Sequence, residues 1–298
     1  MTDPGRKPKR WANDLNKILK VLPGERFPID VEALAMNYSR QRFPGDRIIA
    51  VEGGALGKFE GALYPIREKQ GWAIIYNSSV SPGRRRWTVS HEFGHYLMHR
   101  TLLPGGIECG EDVVTFRSGE ELEEEADTFS AYLLMPLDDY RAHIAADVRP
   151  HIDDLGAMAE RYGVSLISCI LRGLEYTSRR SMLVVSREGF ILWAASSKAA
   201  LKTGRFYRTR SSPPIEIPPA SLVGRHEFTH RARQGAAHTA GIWFDEDCEE
   251  ITLRSDKYDQ SITLLHFANA APGSYYGKEA GLEDTFPRFT PTERRRFE

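Results

Sequence analysis

The run WTVSHEFGHYLMH, from Trp87 to His99, constrains this chain more than any other stretch. On an α-helix, residues four apart stand one turn up the same face, so His91 and His95 can turn their imidazoles towards a single ion. Glu92 then lies beside the ion without having to ligate it. Thr88, Val89, Ser90, Phe93, Tyr96 and Leu97 carry no charge, which suits a half-buried helix holding a cation in a dry cleft. Gly94 costs a helix interior roughly 1 kcal/mol relative to Ala, so its presence implies a close backbone approach, expected to the sheet.

A catalytic zinc site takes three protein ligands and keeps one position for water, so a further ligand must come from elsewhere in the chain. The acidic run from Glu120 to Asp127, which passes into FSAYLLMP and stops at Pro136, supplies candidates. Glu123 and Asp127 are four apart and share a helix face. Glu123 could bind the metal while Asp127 accepts the N–H of a ligating histidine. Glu124 and Glu125 fall on other faces, and Glu120, Glu121 and Glu124 read as a solvated surface. His99 lies two turns above His91 and cannot join the same coordination sphere, so it reads as a structural or cleft-lining histidine. Tyr76, Tyr96 and His99 are the nearby candidates for a donor to a developing oxyanion.

The sequence carries its own control. A second match, HEFTH at His226–His230, is flanked by Arg225 and Arg231, follows the Pro-rich segment Pro213–Pro219 and lacks an apolar helical pattern. A divalent ion there would face two adjacent positive charges, so this copy reads as two surface histidines in a basic loop.

Around the motif, helical spacing predicts a first helix over Trp11–Leu22 with Leu15, Ile18, Leu19 and Leu22 apolar. A second is predicted over Pro28–Tyr38, with Val31, Leu34 and Ala35 inward and Asp30 near its start. The short runs RIIAVE, FEGALYPI and GWAIIYN predict a small antiparallel sheet. Ser81-Pro82-Gly83 breaks the chain before the motif helix, which is expected from Arg85 to about His99. Two further helices are expected, one from Asp138 and one over Ile152–Leu174 interrupted at Gly163. From Ser181 the texture becomes strand-like, with SMLVVS, GFILWAAS, AGIWF, EITLRS and ITLLHFA. The fold class is therefore α+β: a motif-bearing domain at 11–136, a helical segment at 137–177, a C-terminal mixed α/β domain at 178–271 and a tail at 272–298. Arg6–Arg10 and Arg294–Arg296 read as mobile charged ends.

Lys and Arg total 40 against 41 Asp and Glu, a formal net charge of -1, so no global field favours nucleic acid or an anionic membrane. No stretch reaches the length of a membrane-spanning helix and no apolar signal follows the N-terminus, which predicts a cytoplasmic protein. Cys109, Cys169 and Cys248 are far apart and odd in number, which predicts free thiols rather than a cysteine-based zinc site.

The segments RRRWTVSHEFGHYLMH and EEEADTFSAYLLMP, with the upstream FEGALYPIREKQGWAIIYN, resemble the ImmA/IrrE family of metallo-endopeptidases over roughly Trp11–Pro136. The resemblance implies a zincin-like peptidase domain, a Zn2+ cofactor and an intracellular protease that cleaves a helix-turn-helix repressor and so switches on the genes under its control. It assigns His91, Glu92 and His95 to the zinc helix, with Glu92 as the catalytic base, and places the family's E-x-x-x-[DN] pattern on Glu123 and Asp127. Ser130 stands where the family usually has Ala. Some members carry a GAF-like sensory domain, and the strand-rich residues 178–271 occupy that position.

Two rival readings rest on other residues. IDDLGAMAERYGVSLISCILRGL has helix-turn-helix spacing, which would suit a DNA-binding regulator with a vestigial metal site. Its second helix, however, carries one Arg and no Asn, Gln or Lys to meet bases or phosphates, which argues against direct DNA binding. Arg205, Arg208, Arg210, Arg225, Arg231 and Arg233 gather around the Pro-rich stretch and could meet an anionic small-molecule effector, or form a solvated loop.

Overall fold

The computed structural model describes residues 6–56, 59–110, 117–209 and 212–269, so Arg210 and the expected tail at 272–298 lie outside the described residues. Among the described residues the chain is mixed α+β, with nine α-helices and two sheets. The described residues divide into two compact units, one formed by residues up to 140 with 159–165, the other by 141–158 with 166–269.

In the first unit, α1 (Pro8–Val21) and α2 (Val31–Arg42) precede the strands β1 (Arg47–Gly54), β2 (Phe59–Ile66) and β3 (Gly71–Asn77). Helix α1 starts earlier than the apolar spacing implies. Arg6 pairs with Asp14 and lies over the Trp11 ring at 4.2 Å, so this end is held by contacts rather than being a mobile tail. The inward face of α1 is Trp11, Ala12, Leu15 and Asn16, whereas Ile18 and Leu22 are exposed. Helix α2 starts where Asp30 caps it, the carboxylate accepting from the Ala33 N–H at 3.0 Å.

The first sheet has the order β1-β3-β2-β4, with β4 at Ile107–Gly110. β2 pairs antiparallel with both β3 and β4, but β1 runs parallel to β3, so the sheet is mixed rather than antiparallel. β2 and β3 close on each other through Arg67–Lys69, and β1 takes β3's other edge. Short apolar runs announce strands, while the partner of each is settled at long range.

Against β2 and β3 packs α3 (Pro82–Met98), which also packs on α2 and on α4 (Arg117–Leu134). Ser81-Pro82 opens α3 rather than breaking the chain before it: the Ser81 hydroxyl accepts from Arg84 N–H at 3.4 Å, and proline suits the first helical turn. Eleven successive residues, Trp87–Leu97, are buried, so the helix is enclosed on all sides rather than half-buried. Gly94 meets α4, not the sheet; a Cβ there would stand 2.9 Å from Phe129 Cδ1 and 3.4 Å from Ala126 Cα. At the far end of α4, the Asn16 amide of α1 donates to the Tyr132 and Leu133 carbonyls at 3.1 Å each, satisfying acceptors that a helix end leaves open.

The chain continues through α5 (Leu137–His143), α6 (Ile152–Tyr162) and α7 (Leu166–Tyr176), with Gly163 at φ +61° separating the last two. In the second unit, β5 (Ser181–Arg187), β6 (Phe190–Ser196), β7 (Ile215–Glu216), β8 (Ala236–His238), β9 (Cys248–Ser255) and β10 (Gln260–Phe267) form an antiparallel sheet of order β7-β6-β5-β10-β9-β8. α7 and α8 (Lys198–Lys202) pack on β5 and β6. Met182, Val184, Leu265 and Phe267 bury against Ile217, Val223 and Trp243 of the long segment before β9. That segment is pinned by Glu250, a fully buried carboxylate that accepts from Leu222 N–H at 3.0 Å, Val223 N–H at 2.9 Å and Trp243 Nε1–H at 2.9 Å. Its three donors keep the charge from being stranded in the core.

Candidate metal centre

Helix α3 supplies two imidazoles and α4 a carboxylate to one buried point. His91 Nε2 lies 3.0 Å from His95 Nε2 and 3.1 Å from Glu123 Oε2, and His95 Nε2 lies 3.3 Å from Glu123 Oε1. One ligand atom from each of these residues falls within 4.8 Å of the others, the one such group of three among the described residues. His91 Nδ1 is 2.9 Å from Asp127 Oδ1, so the carboxylate one turn beyond Glu123 holds the far side of the ring. The register works because Gly94 lets the two helices approach.

The electrostatics of the cluster show what would suit it. Burial drives the His91 pKa down, but hydrogen bonds and charge from Asp127 and Glu123 outweigh it and place the pKa well above 6.5. Burial dominates at His95 and lowers it to about 4, the pull of Glu123 notwithstanding. Burial would raise Glu123, yet His91 and His95 hold its carboxyl far below the usual carboxylate range. Two carboxylates thus meet two imidazoles in a water-poor site. A divalent cation there would match the charge of the carboxylates, and two imidazole nitrogens with one carboxylate oxygen form a donor set for transition metals.

Glu92 is fully buried, and its carboxylate packs on β2 at Gly61. A Cβ on Gly61 would stand 2.6 Å from Glu92 Oε1 and 2.4 Å from Thr88 Cγ2. Sequence reasoning passed over Gly61, although a glycine inside an apolar strand often marks such an approach. It also passed over the partners of His99: His99 Nδ1 is 2.8 Å from His95 Nδ1, and His99 Nε2 is 2.9 Å from Glu125 Oε2. Burial lowers the His99 pKa despite the adjacent Glu125. Of the suggested oxyanion donors, Tyr96 has its hydroxyl committed to the Asp46 carbonyl at 2.6 Å, and the Tyr76 ring lies under Arg85 at 4.5 Å.

The second HExxH copy folds differently. His226 sits in a turn at φ +57°, exposed, and Thr229 caps the short helix α9 (His230–Gln234), so no helix carries both histidines. Glu227 pairs with Arg225 at 2.7 Å. Among the other arginines of this region, Arg205 faces Asp245 and Glu246, and Arg233 faces Asp153 at 3.3 Å, so three of the expected cluster are matched by carboxylates. In the helix-turn-helix-like pair, Cys169, Ile170, Leu171 and Leu174 of α7 are buried, and Arg172 is wholly buried and paired with Glu175. This suits a packing helix better than one that reads a groove.

Residues 49–172 match the family model Peptidase_M78, described as the IrrE N-terminal-like domain. Over that segment the chain is similar to the ImmA/IrrE family. The IrrE-like segment runs from β1 into α7 and contains His91, Glu92, His95, Glu123 and Asp127, so this part of the chain is metallopeptidase-like. A solved structure described as a Mycobacterium tuberculosis transcriptional regulator aligns with a TM-score of 0.54 at 13% identity, covering 89% of this chain and 77% of that one. At that identity the likeness speaks for the fold alone. No curated protein matches the sequence.

Proposed function

We propose that the chain is a zinc-dependent endopeptidase in which His91, His95 and Glu123 hold the metal, Asp127 orients His91, and Glu92 is the general base. One observation carries this reading: two imidazole Nε2 atoms and a partly buried carboxylate meet within 4.8 Å, while Asp127 occupies the other nitrogen of His91. A histidine that donates Nδ1–H to a carboxylate presents Nε2 as a lone pair, the form a metal needs. Zinc held there would supply Lewis acidity for a water and a carbonyl oxygen. Glu92 would take the proton from the attacking water and deliver it to the departing amine. Its carboxylate is fully buried against Gly61, and the three residues that could hold an ion are His91, His95 and Glu123, which supports Glu92 as base rather than ligand.

The peptidase part corresponds to 11–136, and the family resemblance supports a cytoplasmic helix-turn-helix repressor as substrate. Residues 178–271 are proposed as a sensory, GAF-like domain, with a small-molecule effector as the signal. The six-stranded antiparallel sheet, with helices α7 and α8 on β5 and β6, supports that reading. Co-expression with a repressor encoded beside it tests the proposal. A discrete repressor fragment should appear with the wild type and vanish with Glu92→Gln while zinc stays bound. Sequence-specific DNA binding without cleavage would favour a regulator instead.

A further inference from the structure

His91 and His95 are held from behind in unlike ways. His91 Nδ1 meets a buried carboxylate, Asp127, at 2.9 Å. His95 Nδ1 meets another imidazole, His99, at 2.8 Å, and that ring reaches Glu125 Oε2 at 2.9 Å through Nε2. His95 is fully buried and His99 nearly so, whereas the Glu125 side chain is about half exposed at 48%. A buried ring with both nitrogens committed has few tautomers open to it.

We propose that His99 and Glu125 are positioning residues that fix His95 for metal binding through a one-directional hydrogen-bond relay. This inference rests on the zinc reading above. If His95 Nε2 presents its lone pair to the ion beside His91 and Glu123, the ring's proton must sit on Nδ1. That N–H points at His99 Nδ1, which must therefore accept, so His99 is neutral and carries its own proton on Nε2. His99 Nε2–H then donates to Glu125 Oε2, which as a carboxylate only accepts. Each hydrogen bond has one permitted direction, and the tautomer of a wholly buried ligand is set by a carboxylate that solvent can reach. Helix α4 thereby supplies Glu123 to the ion, Asp127 to His91 and Glu125 to the relay behind His95. No proton needs to move along the chain of rings; its work is to exclude the His95 tautomer that would turn an N–H towards the ion.

Two measurements on the full chain test this. Long-range 1H–15N correlation of histidine-labelled, zinc-loaded protein should show His95 protonated on Nδ1 and His99 protonated on Nε2 with a bare Nδ1. Zinc affinity, read by competition with a chromogenic chelator, should fall by about 10–100-fold in His99→Leu, the usual range for loss of a ligand's hydrogen-bond partner. In His99→Gln, whose amide oxygen can accept from His95 Nδ1–H, most of that affinity should return. Glu125→Ala should lose less than His99→Leu, because water can take the place of an exposed carboxylate. His99 protonated on Nδ1, or His99→Leu binding zinc as tightly as wild type, would overturn the relay and leave the peptidase reading intact. Wild type that binds no zinc through His91 and His95 would overturn both. Should His99→Leu fail to fold, the tautomers of the wild type decide alone.

Discussion

HEFGH at His91–His95 and HEFTH at His226–His230 differ by one residue, yet one is wrapped inside helix α3 and the other straddles a turn. The differing residue accounts for part of this. Gly94 lets α4 pack within a carbon's breadth of α3, which brings Glu123 and Asp127 to the histidines. Thr229 instead caps a new helix, its hydroxyl accepting from Ala232 N–H at 3.3 Å, and thereby separates His226 from His230. Four-residue spacing describes metal geometry only where one helix spans both positions and a second element closes over them.

The largest expected contrast between the copies is chemical. Glu92→Gln should lower protein cleavage by about 10²–10⁴-fold, the usual worth of a general base, whereas Glu227→Gln should leave it unchanged. A gel-based cleavage assay with matched zinc content would break the comparison if both variants lost activity alike.

Packing gives the next contrast. Gly94→Ala places a methyl 2.9 Å from the Phe129 ring and should cost about 1–3 kcal/mol, read as a lower urea midpoint. An unchanged midpoint would show that α3 and α4 can part without penalty. The influence of burial on histidine can then be checked away from both copies, at His266 of β10. It is 6% exposed, and burial, then Arg149 and Arg179, lowers its pKa to about 3. The unfolded chain takes up that proton near pH 6.5 and the folded chain does not, so the contribution of His266 to stability is fully present above this pH and is lost as pH falls towards 3. The wild type should lose about 1.4 kcal/mol more per pH unit within that window than His266→Asn does. Parallel pH profiles for the two proteins would show that His266 titrates in the fold. Smallest of all, Thr229→Gly should shift stability by only a few tenths of a kcal/mol, since glycine is itself a tolerated cap; a larger drop in a urea melt would show that this exposed turn carries structural weight.

What could be read ahead of the structure was local. The helix bearing His91 and His95, the shared face of Glu123 and Asp127, and the strand runs around Tyr76 all follow from spacing within one element. What could not be read were the meetings between elements. β1 lies parallel to β3, on the edge that β2 leaves free, and no periodicity records that pairing. Gly94 announces a close neighbour without naming α4, and Gly61 of β2 makes room for Glu92 from 31 positions away. Glu125 falls off the Glu123–Asp127 face in a helical projection, yet His99 at the end of α3 reaches it. Ser81-Pro82-Gly83 was ambiguous for a different reason: the residues that end one element also cap the next, and the hydrogen bond from Arg84 N–H to Ser81 decides between them.

The central claim is that the first copy, and not the second, is the metal centre. Metal content of the purified full chain, measured by inductively coupled plasma spectrometry after dialysis, tests it most directly. Close to one zinc per chain is expected in the wild type and in a His226→Ala, His230→Ala double variant, and almost none in His91→Ala, His95→Ala. Zinc retained by the latter and lost from the former would contradict it.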